Sequence, residues 1–220
     1  MSVWAVIAAA GEGERLGLNR PKAFAPLGQR VLLAESMERL EETGWVDGIV
    51  VVVPEGWEEP GILLAEELGA AKVTAVVAGG ATRAASVRAG VGEVPADADV
   101  ILVHDAARPL LPDEVIGRVI EALGEGFDGA VPALPVPDTV KRVDGDLVLE
   151  TLDRAELVTV QTPQAFVASV LRACVESTQG TTDCASLLET SGGRVRIVQG
   201  DERLLKVTTR ADLERIAAWL

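Results

Sequence analysis

Six apolar, β-branched runs, Val3–Ala8, Ile49–Val53, Val73–Val77, Val100–Val103, Ala130–Ala133 and Val195–Val198, recur along the chain. Helical segments are expected between them at Leu32–Glu42, Ile62–Leu68, Ala84–Val91, Val115–Leu123 and Val167–Ser177. A run with little polar alternation suits a strand buried on both faces, and helices between such strands cover those faces. The pattern predicts an α/β fold with a Rossmann-like, mostly parallel sheet flanked by helices, in which ligands bind at the carboxyl ends of the strands. A chain of 220 residues, 48% of them hydrophobic, can bury one sizeable core, so one domain over residues 1–220 is expected.

The most informative polar segment follows the first apolar run directly. It reads Ala8-Ala9-Ala10-Gly11-Glu12-Gly13-Glu14-Arg15-Leu16-Gly17, with Pro21-Lys22 just beyond. Glycines let such a loop wrap its backbone N–H groups around phosphates, because they tolerate unusual backbone angles and present no Cβ to the ligand. The dinucleotide pattern G-x-G-x-x-G does not fit, since the third glycine, Gly17, arrives one residue late. A Walker loop would end in G-K-[ST], whereas Lys22 follows a proline and precedes Ala23. A loop with two cations suits a triphosphate whose phosphorus is attacked, because positive charge is then held where negative charge develops. A plain strand-to-helix turn would explain the glycines but not Arg15 and Lys22.

The formal net charge of −14 argues against a nucleic-acid partner, which would need clustered Lys and Arg. It also means that a nucleotide site must be a local basic pocket, helped by a divalent cation. The two cysteines, Cys174 and Cys184, show neither a pairing pattern nor metal-ligand spacing, so free thiols and a reducing compartment are expected. With no basic segment ahead of an apolar run and no apolar stretch near about 18 residues, the expectation is a cytoplasmic protein with no membrane partner.

Further polar signals fall just after strands. Gly79-Gly80-Ala81-Thr82-Arg83-Ala84-Ala85-Ser86 could hold a base or ribose by backbone contacts with Arg83 near phosphate, or be an ordinary glycine-rich helix entry. In His104-Asp105-Ala106-Ala107-Arg108-Pro109, Asp105 could face a metal or a ribose and Arg108 a second phosphate, or the two could form a structural ion pair. His104 is the sole histidine, so a His-rich metal site is not expected, and it is itself expected to be a packed, hydrogen-bonded strand-end residue. Thr139–Val143 and Leu147–Leu152, joined through Asp144-Gly145-Asp146, read as a β-hairpin within residues 137–154. Its charged residues make it a poor core element, leaving either an arm that packs on a second subunit or a solvated hairpin. Thr209 and Asp212 form an expected capping box ahead of Leu213, Ile216 and Trp219.

The ordered set A-A-G-x-G-x-R, P-K, G-G-x-T-R-x-x-S-V, H-D-A-A-R-P, D-T-V-K, D-R, T-P-Q, T-D and K-V-T resembles the 2-C-methyl-D-erythritol 4-phosphate cytidylyltransferases of the non-mevalonate isoprenoid pathway. The resemblance spans nearly the whole chain and is carried above all by H-D-A-A-R-P, D-T-V-K and T-P-Q. It implies a nucleotidyltransferase that joins CTP to methylerythritol 4-phosphate, releasing pyrophosphate, with Mg2+, in a homodimer whose hairpin arms interlock.

Residue by residue, the resemblance implies that Arg15 and Lys22 stabilise the transition state at the α-phosphate. It implies that Ala9, Ala10, Gly11 and Gly13 cradle the nucleotide, that Gly80 and Ser86 recognise cytosine beside Arg83, and that Asp105 lies near ribose and metal. Arg108, Thr139, Arg154, Thr182 and Lys206 match the methylerythritol phosphate pocket, with Arg154 and Lys206 orienting the attacking phosphate. Thr139 and Arg154, at the two ends of the arm, are expected to act across the dimer interface. Ala81 and Cys184 depart from the family's usual acidic residues. Two alternatives remain at this point: a cytidylyltransferase for another polyol phosphate such as ribitol 5-phosphate, and a non-catalytic nucleotide-binding regulator. A nicotinamide dehydrogenase is disfavoured by the glycine spacing.

Overall fold

The computed structural model describes residues 1–13, 16–177 and 183–220. Its elements in chain order are β1 (Val3–Ala8), β2 (Pro26–Leu27), β3 (Arg30–Val31), α1 (Leu32–Glu42), β4 (Gly48–Val53), α2 (Glu58–Leu68), β5 (Val73–Ala78), α3 (Arg83–Glu93), β6 (Val100–Asp105) and α4 (Asp113–Glu121). They continue with β7 (Gly129–Pro135), β8 (Val140–Asp144), β9 (Leu147–Leu152), β10 (Val158–Val160), β11 (Gln164–Val167), α5 (Ala168–Ser177), α6 (Cys184–Thr190), β12 (Val195–Gln199) and α7 (Arg210–Ala217).

The central sheet runs β5-β4-β1-β6-β11-β7. Strands β5, β4, β1 and β6 are mutually parallel, and β11 enters between β6 and β7 antiparallel to both. Ala133 of β7 pairs with Val160 of β10 and with Gln199 of β12, so those two strands lie on opposite sides of β7. The expected mostly parallel sheet is therefore present, with β10 and β11 as antiparallel insertions. Those two strands, the short pair β2–β3 and helix α6 are not among the elements anticipated from periodicity. All five are short, and a few residues give too little pattern to register.

Side-chain alternation within the buried strands builds two cores. Ile7, Val51, Val53 and Leu102 face one layer with Leu33, Met37 and Leu40 of α1 and Ile116 and Val119 of α4. Val6, Val50, Val52, Ile101 and Val103 face the other, with Val87 and Val91 of α3, Leu171 of α5 and Leu187 of α6. A third, smaller cluster holds Ala25, Leu27, Leu32, Leu110, Val207 and Ile216. It fastens α7 and the segment before it to the β2–β3 turn. The Thr209 capping box is formed as expected, with Asp212 accepting from the Thr209 backbone, but of the helix residues only Ile216 is buried while Trp219 faces outward.

The β8–β9 hairpin forms its own two-stranded sheet, with a register irregularity between Arg142 and Val143. Its charged residues are not its whole surface: Val143, Leu147, Val148 and Leu149 are each between 53% and 64% exposed. Both cysteines are buried and no disulfide joins them, as the sequence suggests. Among the described residues, no helix is long and apolar enough to cross a membrane.

Helix α3 lies close on the sheet because Gly90 has no side chain: a Cβ there would sit 2.5 Å from a methyl of Val6 and 2.7 Å from one of Val52. Gly90→Ala should therefore destabilise the protein by about 1–3 kcal/mol through overpacking, despite alanine's better helix propensity. Urea denaturation of the two proteins checks this, and an unchanged or raised midpoint would contradict the close approach.

Candidate active site

The loop after β1 folds back on itself. Leu16 N donates to Gly13 O at 2.8 Å and Lys22 N donates to Gly11 O at 3.1 Å, which closes the loop around residues 11–22. Gly13 has φ +78°, and a Cβ on it would come within 2.7 Å of Lys22 Cβ. Glycine is thus required twice, for its backbone angle and for the close approach of Lys22. Gly11 faces open space and lines the adjoining cleft.

A second loop closes on the first. At Gly79 a Cβ would meet Ala10 Cβ at 2.5 Å and Ser86 Oγ at 2.7 Å, so the absence of a side chain brings the β5–α3 turn against the β1 loop. Ser86 Oγ accepts from Gly80 N at 3.2 Å and lies 3.0 Å from Thr82 O, which fixes the turn from inside. Thr82 caps α3, its hydroxyl accepting from Ala85 N at 3.1 Å, and so starts the helix with Arg83 at the cleft.

Asp105 ends β6 at the base of the cleft, with both carboxylate oxygens engaged. Oδ1 accepts from Arg83 Nη2 at 2.8 Å and Nε at 3.1 Å, and Oδ2 accepts from Lys206 Nζ at 2.7 Å. Burial would raise the Asp105 carboxyl, but the charges and hydrogen bonds of Arg83 and Lys206 outweigh it and hold the group well below the usual carboxylate range. Arg83 is correspondingly held more firmly protonated: burial opposes its charge, while Asp105 and, next, Cys184 raise it. Cys184 Sγ lies 3.5 Å from Arg83 Nη1, and burial pushes its thiol up to about 11. The ion pair that sequence spacing left open between Asp105 and Arg108 is thus made with Arg83 and Lys206 instead. The Arg108 guanidinium turns to main-chain carbonyls, donating to Leu204 O at 2.5 Å and Val160 O at 3.3 Å.

These pieces enclose a cleft of about 660 Å³ at the carboxyl ends of β1, β5 and β6. Of the expected site residues, Ala9, Ala10, Gly11, Gly13, Lys22, Gly80, Arg83, Ser86, Asp105 and Lys206 line it together. Among the described residues its charged lining is Lys22, Arg83 and Lys206 against Glu12 and Asp105, a local cationic excess in a chain of net charge −14. Arg108, Thr139 and Arg154 are not part of that lining. Thr139 is exposed at the foot of the arm, and exposed Arg154 donates to Pro137 O there. Arg15 and Thr182 lie outside the described residues. Sequence reasoning missed Ala8, Glu12, Thr82 and Thr208 as lining residues. Thr82 was legible as a helix cap and Thr208 as part of K-V-T, while Glu12 carried no signal beyond its place in the loop.

Among the described residues, no group of three or more His, Cys, Asp or Glu side chains could hold a metal ion by itself. A magnesium ion, however, is commonly bound by one or two carboxylates with substrate phosphates and waters completing its shell. Asp105 fits that arrangement, because a carboxylate offers about four lone-pair sites and its two cationic partners leave some free.

His104, beside Asp105, is fully buried. Its Nε2 lies 3.1 Å from Arg108 O and its Nδ1 3.1 Å from Thr162 Oγ1, the packed and hydrogen-bonded state anticipated for it.

The family model described as IspD, 2-C-methyl-D-erythritol 4-phosphate cytidylyltransferase, matches residues 3–220. A protein of that name from Nocardia farcinica is 47% identical over 213 residues, 96% of this chain and 91% of its own. Another from Rubrobacter xylanophilus is 42% identical, covering 95% of this chain and 90% of its own. Among solved structures, a 4-diphosphocytidyl-2C-methyl-D-erythritol synthase from Anaerococcus prevotii superposes with TM-score 0.86 at 27% identity, covering 99% of this chain and 95% of its own. The 2-C-methyl-D-erythritol 4-phosphate cytidylyltransferase of Thermus thermophilus gives TM-score 0.82 at 32% identity, covering 100% and 98%.

The burial of His104 has a thermodynamic consequence. Burial, aided by the charges of Arg108 and Arg83 and opposed by Asp105 and the hydrogen bond to Arg108, pushes its pKa down to about 4 from 6.5. Between those values the unfolded chain binds the proton and the folded chain does not, so stability falls as pH falls from 6.5 toward 4. The contribution is about 2 kcal/mol of lost stability at about pH 5 relative to neutral pH. Urea unfolding at the two pH values should show it, and His104→Gln should flatten that part of the profile.

Proposed function

The chain belongs to the 2-C-methyl-D-erythritol 4-phosphate cytidylyltransferase family, and from that premise we propose how its residues divide the work. As an enzyme of isoprenoid biosynthesis it is a nucleotidyltransferase, joining CTP and 2-C-methyl-D-erythritol 4-phosphate into 4-diphosphocytidyl-2-C-methyl-D-erythritol and pyrophosphate. The observation that carries the division is the convergence of the β1 loop, Lys22, the Gly80–Arg83 turn, Asp105 and Lys206 on one cleft. We assign that activity to one nucleotidyltransferase domain spanning residues 1–220, working in the cytoplasm.

An oxygen of the polyol phosphate attacks the CTP α-phosphorus. The new P–O bond forms as the bond from the α-phosphorus to the α,β-bridging oxygen breaks, and pyrophosphate leaves with that oxygen. The attacking phosphate is already ionised near neutral pH, so no general base is needed. Charge grows on the α-phosphate's equatorial oxygens, where Lys22 and Arg15 stabilise it from the β1 loop. Ala9, Ala10, Gly11 and Gly13 cradle the triphosphate with backbone groups, and Gly80 and Ser86 read the pyrimidine beside Arg83. Lys206 orients the incoming phosphate from its place on Asp105. Asp105 would hold a divalent cation, Mg2+, which would supply charge neutralisation beside the triphosphate.

The second substrate's pocket would be completed by Arg108, Thr182 and, across a homodimer, Thr139 and Arg154. The exposed Val143, Leu147, Val148 and Leu149 support an arm that packs on another copy, since an isolated two-stranded hairpin gains little stability by itself. A ribitol 5-phosphate enzyme would use the same nucleotide loops, but the relatives' names favour methylerythritol phosphate.

Lys22→Ala should lower pyrophosphate release from CTP and methylerythritol 4-phosphate by about 10²–10³-fold with little change in unfolding midpoint. Release with ribitol 5-phosphate in place of methylerythritol 4-phosphate would overturn the substrate. Leu147→Asp with Leu149→Asp should give monomers in sedimentation and poor turnover at saturating CTP, whereas a fully active monomer would sink the shared-site reading.

A further inference from the structure

We propose that His104 is a positioning residue for the transfer reaction, holding the Asp105–Arg108 turn through Thr162 and through the Arg108 carbonyl. The inference rests on the cytidylyltransferase reading and adds a residue that the cleft lining does not contain.

The proton assignments follow from the hydrogen bonds. Thr162 Oγ1 accepts from the Asp105 backbone N–H at 3.0 Å, so its own proton is free to go to an acceptor. His104 Nδ1, 3.1 Å away, is that acceptor, which places the ring proton on Nε2. Nε2–H then donates to Arg108 O at 3.1 Å. The turn is closed by Arg108 N donating to Asp105 O at 2.9 Å. One neutral imidazole therefore pins both ends of the turn, as acceptor at one and donor at the other. The hydroxyl that it orients is buried with it, Thr162 being 4% exposed.

What this relay fixes is the origin of the ionic bridge. Both oxygens of Asp105 are committed, one to Arg83 and one to Lys206, so a shift of the Asp105 backbone displaces two cleft cations together. The neighbouring residue reinforces the arrangement: Gln161 Oε1 accepts from Asp201 N at 3.0 Å and Gln161 Nε2 donates to Asp201 O at 2.8 Å. That clamp holds the chain that runs on to Lys206. Residues 161 and 162 thus set both partners of the Asp105–Lys206 contact, and His104 orients the half that carries the carboxylate. In-line transfer is sensitive to such placement, since a misplacement of about 1 Å can cost about 10²-fold in rate.

Conservative variants separate the two arms of the ring. Glutamine can keep a donor near Nε2 but offers nothing at Nδ1; asparagine can place a carbonyl oxygen near Nδ1 but does not reach Arg108 O. Pyrophosphate release with CTP, Mg2+ and methylerythritol 4-phosphate should show kcat lowered about tenfold in both His104→Gln and Thr162→Val, with KM for CTP within about twofold of wild type. The double variant should be no worse than the poorer single one. His104→Asn and Thr162→Ser, which keep the Thr162 arm, should retain more of kcat. Deuterium exchange at the Asp105 amide should rise in His104→Gln and Thr162→Val alone. Unchanged kcat with the Asp105 amide still protected would overturn the inference, as would losses that add and appear mainly in KM. If His104→Gln does not fold, Thr162→Val against Thr162→Ser makes the same discrimination. A wild type inactive with this substrate pair would instead overturn the cytidylyltransferase reading, and exchange at the Asp105 amide would still decide the relay.

Discussion

The double ion pair of Asp105 with Arg83 and Lys206 is the contact on which the site depends. It joins three parts of the chain that share no local sequence: the end of β6, the start of α3, and the segment before α7. A buried carboxylate alone would be costly, and two buried or half-buried cations near each other would repel. Placed together they compensate, which keeps positive charge in the cleft without an uncompensated group in the interior. The value of the bridge is therefore geometric more than energetic. Lys206 is 43% exposed, so solvent screens its attraction to Asp105, yet the ammonium is held in one place.

The sheet makes that placement possible. Strands β1 and β6 are adjacent and parallel, in register with Ala8 opposite Asp105, so the glycine-rich β1 loop and the carboxylate leave the same edge side by side. Strand β5, two positions away across β4, delivers the Gly79–Gly80 turn to the same edge. Glycines then remove what would keep these loops apart, Gly13 against Lys22 and Gly79 against Ala10. The third hydrophobic cluster has a matching task. Val207 and Ile216 pack on Leu27 and Leu32, and Val207 N donates to Ala107 O at 2.8 Å, so Lys206 arrives at the cleft on an anchored segment.

Charge distribution explains how a strongly acidic chain can hold a triphosphate. Long-range repulsion from the net charge of −14 is screened within roughly 8–10 Å at physiological salt, so the cations that line the cleft dominate what a bound phosphate experiences. The carboxylate excess lies largely on exposed helix and arm surfaces, where it costs little. The same logic makes an aspartate in the cleft useful, since it orients the cations without cancelling the local excess.

Much of this was legible in the sequence because it depends on local physics. Apolar runs with little polar alternation determined a largely parallel, two-faced sheet, glycines at fixed offsets determined a tightly folded loop at the cleft, and Thr209 with Asp212 determined a helix start. The burial of His104 followed from its place at the end of an apolar strand. Tertiary structure alone decided who pairs with whom. Asp105 could have paired with Arg108, three residues away, but the turn sends the Arg108 guanidinium to the carbonyls of Leu204 and Val160, and the carboxylate meets Arg83 and Lys206. Likewise Thr162 became the link between His104 and the Asp105 amide only because β11 inserts between β6 and β7. A sequence specifies which groups can donate, accept or carry charge; their separation is fixed when distant strands are brought into register.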